Sequence, residues 1–354
     1  MKILILYNEI ASYNIACFKE LAIDHEVFLI KKEINQIEAP FKFNFDFPIK
    51  IYNSKDFNFS MLINLYKEIN PEIIFCGGWI NKDFINLCKI AKKSTKVLGF
   101  DNPYRSNLSQ FFKSFIFKLY YKNVFNYSYV PGNIQHKLAI KMGFKNHQII
   151  KGAYSCDFKF YNDLGKAFKK NKKLNYPKRF LFVGRYIKSK GILDLWKSFM
   201  NLHDKFPNDW ELWCVGTGPL LKEKVVHPKI KHFGFIQPQD MSILIKNTSV
   251  FILPSYFEPW GVVVHEYASA GFPLVLSDKV NAGSVFLSNN INGYEFEARS
   301  SISLEKALKK IIDTNERDLI KMGEISIKLA NKINPKVWAD TLTSLKHNDL
   351  TLRI

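Results

Sequence analysis

Short apolar runs, separated by longer stretches of helical periodicity, occur in two consecutive series along the 354-residue chain. A buried run followed by a crossover helix is typical of a parallel strand. Each series therefore predicts a doubly wound parallel α/β sheet. The predicted strands are 2–7, 26–30, 72–76, 96–100 and 127–130 in the first series, and 179–183, 211–215, 230–233, 249–253 and 273–276 in the second.

A polar, lysine-rich stretch at 162–178 separates the two series and predicts a linker, because it has little to bury. We therefore expect an N-terminal domain over 1–165 and a C-terminal domain over 175–334. Ligands bind beyond the carboxyl ends of parallel strands, so the two domains are expected to face each other across a ligand-binding cleft. Helical spacing of Trp338, Leu342 and Leu345 predicts that a helix within 335–354 packs back onto the first domain.

The net charge of +19 suggests an anionic partner such as nucleic acid, acidic lipid or a phosphorylated ligand. The excess lies mainly in the first half, since residues 1–176 hold 27 Lys and Arg against 14 Asp and Glu. A biased base composition of the genome would explain a chain rich in Lys, Ile, Asn and Phe equally well. Charge alone therefore does not select the partner.

The expected compartment is a reducing cytosol. Five cysteines without a C-x-x-C spacing argue against a disulfide framework and a structural zinc site. The apolar run at 3–6 is too short for a signal peptide, and no stretch of 18 uninterrupted apolar residues occurs. We expect a cytoplasmic protein that is soluble or peripheral on the inner membrane.

Two segments of the second half carry the chemistry. In the first, Gly184 and Arg185 follow a strand, and Lys190-Gly191 precede a helix that begins near 192. A glycine permits close backbone approach, and a helix N-terminus offers free amides to a phosphate. Arginine and lysine then add full charges that suit a diphosphate without a metal.

The second segment, 250–271, reads as a strand that ends at Pro254, a loop with Glu258, and a helix that starts near Gly261 and carries Glu266. The amides around Trp260–Val262 are expected to point at anionic groups. Glu266 could accept two hydrogen bonds from a ribose diol, and Glu258 would reach the sugar.

Together these segments resemble the retaining glycosyltransferases of family 4, which have the GT-B fold of two Rossmann-like domains. The resemblance covers roughly 180–300 and rests on two glutamates separated by seven residues, Glu258 and Glu266, in a Pro-Ser-x-x-Glu-x-x-Gly context. The other matching elements are Gly184-Arg185, Lys190-Gly191, the Gly216–Pro219 turn, His232–Phe235 and Asn292-Gly293.

The resemblance implies a role for each matching residue. Arg185 and Lys190 would bind the donor diphosphate, Glu266 the ribose, and Glu258 the donor sugar near the reacting centre. The backbone around Phe235 and Ile236 would lie near the base. The reaction implied is transfer of a glycosyl group from a nucleotide sugar to an acceptor hydroxyl with retention of configuration.

The N-terminal half matches the family less well. Asn8 lies where many members have a glycine-rich loop, and Asp101-Asn102 lie where many have a histidine near the sugar. These two residues either replace that histidine or form a turn with Pro103. Similarly, Gly78 and Trp79 either present an aromatic platform to a sugar or form a tight turn with a core tryptophan. Asn8, Gly78, Trp79 and Asn102 are thus candidate acceptor or sugar contacts, and Asp101 is a candidate catalytic residue.

The segment 110–125 predicts an amphipathic helix. We expect its apolar face to be core; this face comprises Phe111, Phe112, Phe115, Ile116, Leu119 and Tyr120. The opposite face, with Lys113, Phe117, Lys118, Tyr121 and Lys122, is either an ordinary solvated surface or a contact with an anionic membrane that bears a lipid-linked acceptor.

No D-x-D motif and no His/Cys ligand cluster occur in the sequence, so we expect no metal and no cofactor. The partners expected are a nucleotide-sugar donor and a glycan or lipid-linked acceptor. The resemblance also implies a bacterial role in lipopolysaccharide or other surface polysaccharide assembly. Three alternatives remain: a sugar-nucleotide epimerase of the same architecture, a basic nucleic-acid-binding protein, and a catalytically silent partner subunit.

Overall fold

The computed structural model describes residues 1–32 and 41–347, and its internal contacts divide the chain into two units. Unit 1 comprises Met1–Cys156 together with the C-terminal segment from Ile333, and unit 2 comprises Asp157–Lys332. The part of the predicted C-terminal helical segment beyond residue 347 lies outside the described residues.

Unit 1 is a parallel sheet connected by helices. Its strands are β1 (Lys2–Tyr7), β2 (Glu26–Lys31), β3 (Ile49–Asn53), β4 (Ile73–Gly77), β5 (Thr95–Gly99), β6 (Tyr127–Val130) and β7 (Ile149–Lys151). Its helices are α1 (Ser12–Asp24), α2 (Phe59–Ile69), α3 (Lys82–Ile90), α4 (Leu108–Tyr120), α5 (Asn133–Lys141) and, from the C-terminal segment, α13 (Pro335–Ser344). The strand order is β3-β2-β1-β4-β5-β6-β7.

The C-terminal helix α13 is anchored in unit 1 by Trp338, which is 2% exposed. Its indole Nε1 donates a hydrogen bond to the carbonyl of Ala153 at 2.8 Å. The ring lies 5.6 Å from Phe75, 6.0 Å from Tyr129 and 6.2 Å from Phe18, measured between centroids. Burial of one large aromatic ring thus anchors α13 to the first sheet.

Unit 2 repeats the same architecture. Its strands are β8 (Arg179–Val183), β9 (Glu211–Val215), β10 (Ile230–His232), β11 (Val250–Leu253), β12 (Leu274–Ser277) and β13 (Gly293–Phe296). Its helices are α6 (Phe158–Leu174), α7 (Ile192–Lys205), α8 (Ser242–Asn247), α9 (Val262–Ser269), α10 (Gly283–Phe286), α11 (Ser301–Asp313) and α12 (Glu316–Ala330). The strand order is β10-β9-β8-β11-β12-β13, again with parallel pairing. The predicted fold class, two doubly wound parallel α/β domains, is confirmed.

The segment 162–178 is mostly helix rather than the expected linker. It lies largely in α6, which belongs to unit 2, and the division between the units falls at Cys156/Asp157. Tyr161 is 4% exposed, and a Cβ at Gly165 would lie 2.4 Å from the carbonyl oxygen of Ala270. A narrow stripe of α6 is therefore in close contact with the end of α9. The many lysines of α6 make this buried stripe difficult to recognise in the sequence.

Three strands that the sequence pattern does not reveal are β3, β7 and β13. All three are edge strands of their sheets. An edge strand has one neighbour, so it needs fewer apolar residues to be stable, and here it is short or mixed in polarity. All interior strands were predicted, and so was the fourth edge strand, β10.

The orientation expected for helix α4 is wrong. Its apolar face is exposed, with Phe111 64% and Leu119 62% accessible, whereas Phe117, expected outside, is 1% accessible. Phe117 packs against Trp79, Phe125 and Phe144 in the core of unit 1. Lys113 and Lys118 are exposed, as expected.

The five cysteines are buried, free thiols. Among the described residues, no helix combines the length and the apolar character needed to cross a bilayer.

Candidate functional site

Unit 2 gathers the motif residues at the carboxyl edge of its sheet. Strands β10, β9, β8 and β11 are neighbours in that order, and each is followed by a motif segment. The amide of Gly216, after β9, donates to the carbonyl of Gly234, after β10, at 2.7 Å. The amide of Gly184, after β8, donates to the carbonyl of Val215 at 3.0 Å. The loops that hold the predicted residues are thus linked by backbone hydrogen bonds.

The side chains of Lys190 and Glu258 form an ion pair between the loops that follow β8 and β11. The Lys190 side chain is 21% exposed and that of Glu258 is 10% exposed. The paired oxygen, Oε2 of Glu258, also accepts a hydrogen bond from the hydroxyl of Ser255 at 3.3 Å. Because both side chains are mostly removed from water, each charge is stabilised mainly by its oppositely charged partner.

Two glycines allow these loops to meet. Gly191 has φ +66°, and a Cβ there would lie 2.0 Å from the carbonyl oxygen of Pro254. Gly261 has φ +97°, and its Cβ would lie 2.9 Å from Cγ of Glu258. Any other residue at these positions would be strained and would displace the neighbouring loop.

The side chain of Asn281 holds the loop that carries Glu258 by hydrogen bonds to its backbone. Its Nδ2 donates to the carbonyls of Glu258 at 2.9 Å and Pro259 at 3.2 Å. The amide of Glu258 donates in turn to the carbonyl of Lys279 at 3.1 Å. The carboxylate is therefore held by its backbone as well as by Lys190.

Glu266 lies in helix α9, just over one turn from Gly261. Burial raises the pKa of its carboxyl group to about 7, and a hydrogen bond from Tyr161 of α6 partly opposes this shift. A carboxyl group that titrates near neutrality is a recognised property of functional sites.

The other predicted donor contacts differ in exposure. Arg185 is exposed, whereas Phe235 and Ile236 are half-buried in the loop after β10. Trp260 is 2% exposed and packs against Phe286, so its side chain belongs to the core. Gly261 and Val262 stand at the start of α9, where the first amides have no partner within the helix.

Three residues near these loops carry no signal in the sequence. The hydroxyl of Tyr256 donates to Oδ2 of Asp194 at 2.6 Å, and the guanidinium of Arg299 lies over the Tyr256 ring at 4.8 Å. The amide of Tyr256 donates to the carbonyl of Ser189, next to Lys190. Arg299 therefore adds a cation beside this loop that no motif in the sequence indicates, because Arg299 and Tyr256 lie far apart in the chain.

Unit 1 gathers its candidate residues at the corresponding edge of the first sheet. Asn8, Gly78 and Asp101 follow the neighbouring strands β1, β4 and β5. Nδ2 of Asn81 donates to Oδ1 of Asn8 at 3.4 Å. Burial raises the pKa of Tyr7 to about 12, and the nearby charge of Asp101 adds to this rise.

A cavity of about 330 Å³ in unit 1 is lined by three of the four candidate acceptor contacts, Gly78, Trp79 and Asn102. Arg105 and Lys113 also line it and make it basic. Trp79 packs edge-on against Phe100 at 5.1 Å, so one part of its ring is core while another lines the cavity. Gly78 has φ +87° with open space where a Cβ would project.

Within the described residues, no group of three His, Cys, Asp or Glu side chains is arranged to hold a metal ion.

Residues 165–329 match the family described as "Glycosyl transferases group 1". The matched segment holds both glutamates, Lys190 and Arg185.

Two curated relatives match this chain over segments of 123 and 144 residues. An uncharacterised glycosyltransferase of Methanocaldococcus jannaschii is 29% identical over 123 residues, which are 33% of this chain and 31% of that protein. A glycogen synthase of Mycobacterium tuberculosis is 27% identical over 144 residues, 39% of this chain and 34% of that protein. The similarity thus spans about a third of the length of these relatives.

Solved structures resemble the whole chain in fold. A glycosyltransferase from Rickettsia africae has a TM-score of 0.73 at 16% identity, covering 99% of this chain and 98% of that one. Anabaena HepE, in complex with UDP and glucose, has a TM-score of 0.71 at 14% identity, covering 98% and 99%. The lipopolysaccharide outer core galactosyltransferase WaaB has a TM-score of 0.67 at 16% identity, covering 99% and 100%. At these identities, the likeness establishes the GT-B fold.

Proposed function

We propose that this chain is a metal-independent retaining glycosyltransferase that moves a sugar from a nucleoside-diphosphate donor to an acceptor hydroxyl. The observation that carries the proposal is the Lys190–Glu258 ion pair at the sheet edge of unit 2, one loop away from a second carboxyl group, Glu266. The match of 165–329 to the group 1 glycosyl transferases supports the same reading.

Each charged group has a place in the proposed reaction. The bond between the sugar C1 and the β-phosphate oxygen breaks, and the oxygen keeps the electron pair. Lys190, Arg185 and the first amides of α9 stabilise the negative charge that develops on the departing diphosphate. The acceptor oxygen forms the new bond to C1, and its proton ends on the released nucleoside diphosphate or in solvent.

Donor binding changes the partner of Lys190. In the structure its ammonium group is paired with Glu258. A diphosphate next to Lys190 would compete for that ammonium group and leave the Glu258 carboxylate free to accept hydrogen bonds from sugar hydroxyls. The pair would therefore hold both side chains in position until the donor arrives.

Glu266 is the proposed ribose ligand. An ionised carboxylate accepts two hydrogen bonds from a vicinal diol, whereas a protonated one accepts fewer. Because the pKa of Glu266 is about 7, the proposal predicts that donor binding improves as the pH rises through neutrality.

The acceptor is proposed to be a glycan or a lipid-linked hydroxyl that binds unit 1, where Asn8, Gly78, Trp79 and Asn102 are candidate contacts and Asp101 is the candidate catalytic residue. The family resemblance, together with the likeness to the galactosyltransferase WaaB, favours lipopolysaccharide or another bacterial surface polysaccharide as the product. A cytoplasmic enzyme, peripheral on the inner membrane, fits such a substrate.

The experiment is a screen of purified protein against nucleotide sugars, beginning with UDP-glucose because HepE was solved with UDP and glucose. Thermal stabilisation and release of nucleoside diphosphate are measured for the wild type, Lys190→Ala and Glu266→Ala. Lys197→Ala and Glu295→Ala are matched controls, since both side chains are exposed in unit 2.

A donor that stabilises the wild type and both controls, and loses its effect in both site variants, would support the proposal. Conversion of the donor to an epimer without any acceptor would favour the epimerase instead. No response to any donor, combined with salt-sensitive retention of RNA, would overturn the proposal in favour of a nucleic-acid-binding protein.

A further inference from the structure

Helix α4 carries a continuous apolar surface that faces solvent. We call it the α4 face; its members are 50% to 77% exposed. Among the described residues, other large exposed apolar side chains are scattered over many elements, whereas seven lie together here. A contiguous apolar patch of this kind marks an interaction site. The α4 face consists of Leu108, Phe111, Phe112, Phe115, Ile116, Leu119 and Tyr120.

The α4 face cannot turn inward without loss of core packing. On the opposite side of the helix, Ser114 and Phe117 are buried. The Phe117 ring lies 5.6 Å from Trp79, 5.9 Å from Phe144 and 6.5 Å from Phe125. Rotation of the helix would remove this ring from the core at a cost of several kcal/mol. The exposure of the α4 face is therefore a fixed property of unit 1.

Charge identifies the partner. At about 100° per residue, Lys113 and Lys118 fall on opposite borders of the α4 face. All charged side chains of the surrounding sequence are basic, because residues 102–156 contain eight Lys and Arg and no Asp or Glu. An apolar helix face bordered by lysines is complementary to an anionic bilayer, with aromatic rings in the interface and lysine stems extending to headgroups.

A second copy of the chain fits this surface less well. Pairing two α4 faces would bring the bordering lysines of both copies together without any acidic residue of that segment between them. Like charges at an interface oppose association.

We propose that the α4 face docks this protein on an anionic membrane surface by inserting its apolar side chains into the bilayer interface. The helix is 13 residues, or about 20 Å, long and would lie parallel to the membrane. The basic segment 102–156 then adds electrostatic attraction to anionic headgroups.

This docking would place the basic cavity of unit 1 at headgroup level. Lys113 borders the α4 face and also lines the cavity, whose lining includes Arg105 and Asn102 as well. A phosphate of a membrane-embedded acceptor would then be close to two cationic side chains. This consequence rests on the proposed function; the docking itself does not.

The test is flotation of the full chain with vesicles of phosphatidylcholine, alone or mixed with phosphatidylglycerol. The variant Phe111→Ser/Phe115→Ser is compared with Ile243→Ser/Ile302→Ser, which removes two exposed apolar side chains from unit 2. Both Phe side chains are exposed, so thermal unfolding should be unchanged. We expect the α4 variant to lose about tenfold or more in binding to anionic vesicles and the control to match the wild type.

Charge reversal supplies a second arm. Lys113→Glu/Lys118→Glu should weaken binding to anionic vesicles and leave any binding to neutral vesicles unchanged. Equal flotation of the wild type and the Phe variant would overturn the proposal. So would a lipid-free dimer that the Phe variant abolishes, seen by light scattering without vesicle binding. No sugar nucleotide is present in these assays, so their outcome is independent of the proposed transferase activity.

Discussion

Lys190 and Glu258 form an ion pair although they lie 68 positions apart in the sequence. The pair joins the segment after β8 to the loop after β11, and these strands are neighbours in the second sheet. Parallel topology thus brings a cation and an anion from two motifs to one point.

Breaking this pair should reveal its coupling. Lys190→Met leaves the mostly buried Glu258 carboxylate without its cation and should lower the free energy of unfolding by about 2 to 4 kcal/mol. Glu258→Gln should cost less, and the double variant should be more stable than the sum of the two effects predicts. Urea unfolding of all four proteins measures the coupling, and strict additivity would contradict it.

The titration of Glu266 should appear in stability. Its pKa of about 7 lies above the ordinary carboxyl value of 4.5 that it would regain on unfolding, so the folded state binds more protons between these pH values. The stabilising contribution is fully present below pH 4.5 and is lost as the pH rises to about 7. Glu266→Gln should therefore be more stable than the wild type at pH 8, by up to about 3 kcal/mol, and nearly equal at pH 4.5.

The same variant should bind the donor more weakly. The pH dependence of nucleoside-diphosphate affinity near neutrality should be smaller in Glu266→Gln than in the wild type, measured by calorimetry. Tyr161→Phe is the matched probe of the supporting hydrogen bond and should raise the pKa of Glu266 further.

Gly261→Ala should lower the free energy of unfolding by more than the strain of a left-handed backbone alone would cause. The new Cβ would be strained at φ +97° and would contact Cγ of Glu258 at 2.9 Å. Gly234→Ala is the control, because φ is +69° there and nothing lies within 4 Å of the Cβ. We expect a loss of about 1 to 2 kcal/mol for the control and at least about 1 kcal/mol more for Gly261→Ala. Equal losses in thermal unfolding would show that Glu258 moves away freely.

Asn102 should affect the acceptor and not the donor. Its exposed amide lines the cavity of unit 1, so Asn102→Ala should raise the acceptor KM about tenfold by removing a hydrogen bond. Nucleotide-sugar hydrolysis without acceptor should be unchanged. Asn123→Ala, an exposed asparagine outside the residues that line this cavity, is the control. A parallel loss of hydrolysis would place Asn102 at the donor sugar.

Asp101 should affect the rate of transfer. Asp101→Asn keeps the shape of the side chain and removes its charge, so kcat should fall by about ten- to a hundredfold with little change in unfolding. Asp56→Asn, at an exposed site of unit 1, should retain full activity. Wild-type kinetics in Asp101→Asn would remove this residue from the catalytic set.

Sequence reasoning was most reliable where a segment is buried on both sides. Strands β1, β6, β8 and β9 have the bounds that their apolar runs predict. The edge strands β3, β7 and β13 were missed because a strand with a single neighbour need not be continuously apolar. Helix α9 begins at Val262, close to the start near Gly261 that the sequence predicts. Gly261, with its positive φ, is the N-cap residue of this helix.

The candidate site was predictable to the extent that its residues share a local motif. Ser255 and Glu258 lie in one loop, and the spacing of Glu258 and Glu266 placed the second carboxyl group in a helix. Tyr161 and Arg299 were not found, because their contacts to Glu266 and Tyr256 join segments far apart in the chain. No periodicity or spacing within either segment encodes such a contact.

Helix α4 separates the two sources of information most clearly. The sequence by itself predicted an amphipathic helix over 110–125, close to the observed Leu108–Tyr120, because its apolar residues recur every three to four positions. Only the tertiary structure decided which side is buried. Phe117 packs against Trp79, Phe125 and Phe144, whereas the larger apolar face is exposed to solvent in the part of the chain that the structure describes. Periodicity is a property of one segment, but burial depends on the surfaces that the rest of the fold presents to it.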